Sequence, residues 1–373
     1  MEFDLSKPQK LLQESARTLF QRQCSSERVR ELMETATAHD ETLWTEFADQ
    51  GWTGLIFPES VEGLDLGLVE LGALMEEMGR ACVPGPFLST TCAGVLLNEL
   101  TSHDIATSLL AELSEGNSQI AVALHEEAPD WNPASVQISL ARGAGTIVLE
   151  GEKTLVSGAV DSKFLLCVVL DEKELVVVAV PSDRDGVRIE STPGIDKTRP
   201  MGRVKLNGVT VKEDEILGRG AAVEAALNRM AQVGAVMASA DMVGGMQWML
   251  DAAVEYAKTR EQFDRPIGAY QMVQEQCADM LLLIESSRSA TYYAAWALNE
   301  GDPDAVRAVS MAKAYCSDAA REVGNRSVQV HGGIGFTWEH DLHLYYKRAK
   351  ASELLFGDAT FHREALAKSL LDS

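Results

Sequence analysis

The chain has 373 residues, enough for two or three domains sharing a continuous interior. Hydrophobic residues make up 46% and charged residues 24%, close to ordinary globular proteins, so no long stretch reads as disordered. A formal net charge of -23 excludes non-specific affinity for nucleic acid or anionic membrane, which needs concentrated Lys and Arg, so any polyanionic ligand must be held locally.

In chain order, Met1-Glu2-Phe3-Asp4-Leu5-Ser6-Lys7 lacks the basic-then-apolar pattern of a secretory signal, and no apolar run is long enough to span a bilayer. The expected location is cytoplasmic. Amphipathic helices are expected around Leu11 to Gln21, Glu41 to Gln50 and Leu68 to Arg80, punctuated by Pro58 and Gly63. These lie in a helical domain, residues 1–117. From Ser118 to Leu217 the pattern changes to short runs rich in Val, Ile and Leu: Ile120 to Leu124, Thr146 to Leu149, Phe164 to Leu170, Leu175 to Val180 and Val204 to Leu206. Glu150-Gly151-Glu152-Lys153 and Leu206-Asn207-Gly208-Val209 read as turns, which makes residues 118–217 a β-domain. Long helices return over 218–373, where Met246, Met249, Leu250, Ala253, Val254 and Ala257 form one stripe and Gln247, Asp251, Glu255 and Lys258 face away. Cys24, Cys82, Cys92, Cys167, Cys277 and Cys316 show no zinc spacing and read as buried thiols. His125, His331, His340, His343 and His362 form no tight ligand pattern either, and no metal is assigned.

Two short segments carry chemistry. Arg260 ends a helical stripe just before a Pro-Gly turn, a place suited to presenting a fork of donors to a phosphate, and Phe263 offers a flat face for an adenine. Gly332, Gly333 and Gly335 remove Cβ atoms where backbone N–H groups can approach an anion, with Gln329 as a side-chain donor. Taken singly, these read as a surface Arg, a core Phe and a turn; their combination favours ligand binding.

The segments Tyr256 to Gln271, including Arg260, Gln262, Phe263, Pro266 and Gly268, and Gln329-Val330-His331-Gly332-Gly333-Ile334-Gly335-Phe336 resemble the signature of acyl-CoA dehydrogenases. The resemblance continues through Gly51-Trp52, Pro58-Glu59, Gly63, Glu76-Glu77-Met78-Gly79-Arg80 and Gly151-Glu152-Lys153, and so covers nearly the whole chain. It implies a mainly α fold with an inserted β-domain: an N-terminal helical domain, a central β-barrel-like domain and a C-terminal four-helix bundle. It implies FAD as cofactor, α,β-dehydrogenation of an acyl-CoA thioester, and transfer of the electrons to an electron-transferring flavoprotein. In the family the two segments reach across a dimer interface to the neighbour's flavin, which implies an oligomer. Arg260, Gln262, Phe263, Gln329, Val330, Gly332 and Gly333 are the implied contacts on that side, with Ser157 and Thr360 implied on the flavin from elsewhere.

The chain departs from the family where a subunit holds its own flavin. The family's Thr-Glu-Pro…Gly-Ser-Asp and Trp-Ile-Thr segments are replaced by Leu124-His125-Glu126-Glu127-Ala128-Pro129-Asp130-Trp131 and Leu155-Val156-Ser157. Ser157 remains as a donor to the ring, and Trp131 is the one aromatic candidate to cover it. The family's base is a Glu in a Tyr-Glu-Gly-Thr context; here Leu355-Phe356-Gly357-Asp358-Ala359-Thr360 stands there, and anchoring on Thr360 makes Asp358 the matching carboxylate. Asp358 reads equally as an N-cap before a helix from Phe361 to Leu371. The family's alternative base position falls on Gly234, and its CoA-binding Arg on Ala235, with Arg229 nearest. Lys153 and Arg348 read as solvated or paired side chains rather than ligands. An eroded own half-site beside an intact lent one suggests either a homo-oligomer (a dimer of dimers) with an unusual substrate or a hetero-oligomer. In the latter, this chain completes the flavin site of a related dehydrogenase subunit. A flavin oxidase or monooxygenase on the same fold is the third reading.

Overall fold

The Gln9 amide donates to the Ser6 hydroxyl while the Gln9 side-chain carbonyl accepts from the Ser6 amide, a reciprocal cap that starts α1 (Lys7–Gln23) with Pro8 in its first turn. The computed structural model describes residues 4–127, 131–143 and 145–371. After α1 come α2 (Ser26–Leu32), α3 (Glu41–Asp49) capped by Asp40, α4 (Leu68–Arg80), α5 (Phe87–Asn98) and α6 (Asp104–Ser114). The three expected amphipathic helices correspond to α1, α3 and α4. Periodicity does not reveal α5, because every residue from Phe87 to Leu97 is buried and the helix has no polar face to set a rhythm.

The middle of the chain forms two four-stranded sheets. The strands are β1 (Ile120–Ala123), β2 (Leu140–Gly143), β3 (Thr146–Ser157), β4 (Phe164–Asp171), β5 (Glu174–Pro181), β6 (Val187–Thr192), β7 (Met201–Val211) and β8 (Ile216–Arg219). One sheet runs β1-β4-β5-β8, with β1 and β4 parallel; the other runs β2-β3-β7-β6 and is antiparallel. Alternate residues of both, among them Leu149, Val156, Leu165, Val178, Val204 and Leu206, meet in one dry core. The barrel-like expectation is realised as two facing sheets, stitched where the Leu170 amide donates to the Ile138 carbonyl at 2.8 Å.

Both expected turns are corrected. Residues 150–153 and 206–209 lie inside β3 and β7, whose register slips between Leu149 and Gly151 so that Leu149 faces Val209 and Gly151 faces Leu206. Asn207 and Gly208 together lie opposite the single residue Glu150, a bulge, and Gly208 supplies the left-handed φ of +65° that a hairpin turn would also have demanded. The Asn-Gly signal is the same in both cases, and only the strand opposite distinguishes them.

The remaining elements are α7 (Gly220–Thr259), a short hairpin of β9 (Glu261–Gln262) and β10 (Arg265–Pro266), α8 (Gln271–Glu300), α9 (Ala305–His331), α10 (Leu342–Leu354) and α11 (Ala359–Leu371). The stripe from Met246 to Ala257 is buried on α7 except for half-buried Val254. Helix α9 is central to this part, packing against α8, α10 and α11. The chain divides into two compact units, each discontinuous in sequence: Met1–Val29 with Leu68–Val83 and Gly234–Ser373, and Arg30–Gly67 with Pro84–Val233. In the first, α4 and α7 cross at backbone contact. A Cβ on Gly79 would strike the Asp241 carbonyl, and one on Gly244 would stand 2.6 Å from the Arg80 amide nitrogen. The resembling residues Glu76, Glu77 and Arg80 serve this packing: Glu76 is held by Arg288 and Tyr292, Glu77 by Arg17, and Arg80 holds Asp251. No helix among the described residues is long and apolar enough to cross a membrane.

Candidate flavin-binding surfaces

Helix α7 ends at Thr259 and the chain reverses at once, the Ile267 amide donating to the Arg260 carbonyl at 2.8 Å. The reversal is made by Phe263 and Asp264, both left-handed at φ +53° and +62°, the backbone that matches the twist of a two-residue hairpin. This puts the Phe263 ring outward, 87% exposed, so the core reading of that residue is wrong. The hairpin is stiffened by the Tyr270 hydroxyl, which donates to the Gln262 carbonyl at 3.1 Å, and by the Arg265 guanidinium 4.0 Å above the Tyr270 ring. Arg260 and Gln262 are exposed beside it.

The second segment begins where α9 stops. Gly332 leaves the helix at φ +62° and ψ -139°, a backbone that strongly favours glycine, and no atom lies within 4 Å of where a Cβ would stand on Gly332 or Gly333. Gln329, Gly332 and Gly333 are exposed, while Val330 is buried beneath them. The two segments are tied together by aromatic contact. His331, buried and donating from Nδ1 to the Ser327 carbonyl at 2.7 Å, stacks 4.9 Å from Tyr256, one turn before Arg260. Burial depresses the His331 imidazole below its ordinary value, which keeps the stack neutral. An exposed guanidinium position, an outward phenyl ring and backbone without Cβ atoms fit the pyrophosphate and adenine of a flavin dinucleotide.

The elements expected to hold the chain's own flavin are differently disposed. Ser157 ends β3 and borders a narrow crevice with Thr37, Pro86, Ser89, Asp161 and Arg199, in which the Ser89 hydroxyl occupies the space a Cβ on Gly158 would need. No aromatic residue lines that crevice. The Glu126 carboxylate accepts from the Gln137 and Ile138 amides at 3.0 and 3.1 Å and from Lys153 Nζ at 2.8 Å. Lys153 is wholly buried and also donates to the Leu124 carbonyl at 3.1 Å, so it is paired and not solvated. Burial pulls the Lys153 amine below its ordinary value, with Glu126 pulling against it. Trp131 packs edge-on against His125 at 4.4 Å, which engages the one aromatic considered as a ring cover. Ala128 to Asp130 lie outside the described residues.

Asp358 is the N-cap of α11: its Oδ1 accepts the Phe361 amide at 2.8 Å, and the helix starts at Ala359, two residues earlier than expected. The geometry therefore displays the capping reading, with Thr360 exposed in the first turn. Sequence reasoning missed two buried titratable side chains behind this loop. Lys313 on α9 donates from Nζ to the Glu353 and Gly357 carbonyls, both at 2.8 Å, and burial brings its amine down to about 8. His362 donates from Nε2 to the Phe356 carbonyl at 3.0 Å, with Ser310 3.2 Å from Nδ1; burial, aided by the Lys313 charge, pushes it down to about 4. Nothing in the sequence pattern marks either residue, since a Lys or His at one position of a long helix is normally solvated. Arg348, also buried, is paired with Asp241 at 2.8 Å and donates to the Val83 carbonyl at 2.7 Å. Ala235 is buried, and Arg229 is half-buried with burial lowering its guanidinium below the ordinary value. Of the six cysteines, Cys24 and Cys277 are only half-buried, and none of the six is in a disulfide. Among the described residues no group of three or more His, Cys, Asp or Glu side chains is placed to hold a metal.

Comparison with known proteins shows the family. Residues 6–117 match the family model of the acyl-CoA dehydrogenase N-terminal domain, and residues 221–371 that of the C-terminal domain. The acyl-CoA dehydrogenase IpdE2 of Mycolicibacterium smegmatis is 28% identical over 354 residues, covering 95% of this chain and 96% of its own. Among solved structures, a Tcur3481-Tcur3483 steroid ACAD variant superposes with a TM-score of 0.86 at 27% identity over 98% of both chains. The ChsE4-ChsE5 complex from Mycobacterium tuberculosis superposes at 0.88 and 25% identity over 100% of both. The chain belongs to the acyl-CoA dehydrogenase family of FAD-dependent oxidoreductases.

Proposed function

We propose that this chain is the complementing subunit of a heteromeric acyl-CoA dehydrogenase, lending Arg260, Gln262, Phe263, Gln329 and the Gly332-Gly333 backbone to FAD held by a related partner chain. The observation that carries this reading is the contrast between an outward, pre-shaped hairpin with Phe263 87% exposed and an Asp358 carboxylate committed to capping α11. Two of the similar structures are pairs of differently named chains, which supports a hetero-oligomer. Within the assembly FAD supplies the acceptor for hydrogen taken from the β carbon of the acyl-CoA. Arg260 would pair with the pyrophosphate, Phe263 would offer its face to the adenine, and Gly332 and Gly333 would leave backbone N–H groups open to the phosphates. The electrons pass on to an electron-transferring flavoprotein, and the α proton goes to a base of the partner chain.

The flavin-to-protein ratio decides the matter. The chain purified alone is expected to carry little flavin, and the chain co-purified with its partner about one flavin per pair, as a site shared between two unlike chains requires. Full occupancy in the isolated chain would overturn the reading in favour of a self-sufficient dehydrogenase with Asp358 as base. Asp358→Asn separates the roles, because Asn caps a helix as well as Asp: the variant keeps its stability, and acyl-CoA still bleaches the flavin of the complex unless Asp358 is the base.

A further inference from the structure

Phe356 has a left-handed backbone at φ +57°, rare and strained for an aromatic residue, and Gly357 follows at +96°. Such strain persists only where the surroundings impose it, and here they are identifiable. His362 donates to the Phe356 carbonyl and Lys313 to the Gly357 carbonyl, so the pair is pinned from buried positions on α11 and α9. The effect is to drive the Phe356 ring into a notch of α7 at Gly234. A Cβ on residue 234 would stand 2.5 Å from Cζ and 2.7 Å from Cδ1 of the ring, so any other residue there would evict it. The two places marked for a proton-abstracting carboxylate, the 355–360 loop and Gly234, are thus in contact with each other, and what joins them is a phenyl ring. Two alternative seats for one base have to face the same reacting carbon, so their convergence locates that carbon's place in this chain.

We propose that Phe356 is a plug, its ring seated on Gly234 and filling the space where a base and the reacting carbons of an acyl thioester would meet, so that this chain admits no substrate of its own. The proposal rests on the reading of the chain as a lending subunit and deepens it. A phenyl ring cannot take a proton, and in contact with Gly234 it occupies the space beside that position of α7. Lys313 and His362 act as positioning residues, since they hold the Gly357 and Phe356 carbonyls that set the course of the loop behind the ring.

The test counts an unreactive thioether, S-hexyl-CoA, bound per pair of chains by calorimetric titration of the complex with its partner. The native complex is expected to bind one. Phe356→Gly accepts the same backbone without strain and vacates the notch, so the count is expected to rise to two, with near-UV circular dichroism unchanged. Phe356→Leu, which keeps an apolar filler, is expected to stay at one. Two bound to the native complex, or one bound to folded Phe356→Gly, overturns the plug. Flavin absorbance of the same samples is read separately: two flavins per pair would refute the lending reading, whereas the thioether count alone decides the plug.

Discussion

Replacing Lys313 by methionine should change the pH dependence of stability more than its value at neutral pH. The amine is wholly buried and brought to about 8, against the ordinary lysine value of 10.5. Below pH 8 both folded and unfolded chains hold the proton, and the folded chain bears the full cost of a buried charge. Between pH 8 and 10.5 the unfolded chain still binds it while the folded chain has released it, so stability rises with pH across that window. At 1.36 kcal/mol per pH unit the native protein gains up to about 3 kcal/mol there, and the methionine variant gains none of it. At pH 7 the variant escapes that cost but leaves the Glu353 and Gly357 carbonyls without their donor, at about 1–3 kcal/mol each, so the two effects nearly offset. By pH 10 only the second remains, and the variant falls behind by about 3 kcal/mol. Urea unfolding at pH 7, 8, 9 and 10, taken as native minus variant, cancels the titration of every other group. Parallel profiles would refute the description of Lys313 as a buried amine held below its ordinary value.

His362 should produce a slope of the same sign in a lower window: held down to about 4, it resists a proton that the unfolded chain accepts near 6.5, so stability falls by up to about 3 kcal/mol as pH drops from 6.5 to 4. His362→Gln should flatten the acid limb of the unfolding profile. Arg348→Met removes the guanidinium from the buried Asp241 carboxylate and should cost about 3–5 kcal/mol in chemical unfolding, part of which returns in the double variant with Asp241→Asn. Phe263→Ala should leave unfolding within about 0.5 kcal/mol of native, since the ring touches solvent, while the complex with its partner loses flavin on dialysis. A variant that keeps its flavin would remove Phe263 from the site.

Much of the fold was legible because amphipathic helices and alternating strands advertise their buried faces. α1, α3, α4 and the buried stripe on α7 follow the apolar periods, and β4 and β5 follow their Val-rich runs. Legibility stopped where one signal serves two geometries. Asn207-Gly208 asks for a left-handed residue, which a hairpin and a bulge both use, and α5 hides because burial on every side erases its period. The candidate site divides in the same way. Arg260, Phe263 and the 332–333 glycines were readable as a cluster because a tight hairpin and Cβ-free backbone need particular residue types at particular spacings.

The sequence by itself determined the family and the helix-sheet-helix order, since each is written in local patterns of residue type. The tertiary structure alone decided which way Phe263 points, what Asp358 does with its carboxylate, and that Lys313, His362 and Gly234 converge on Phe356. Those facts depend on groups far apart along the chain meeting in a dry interior. There a lysine can exchange water for two carbonyls, and a glycine's missing Cβ becomes the space that another residue fills.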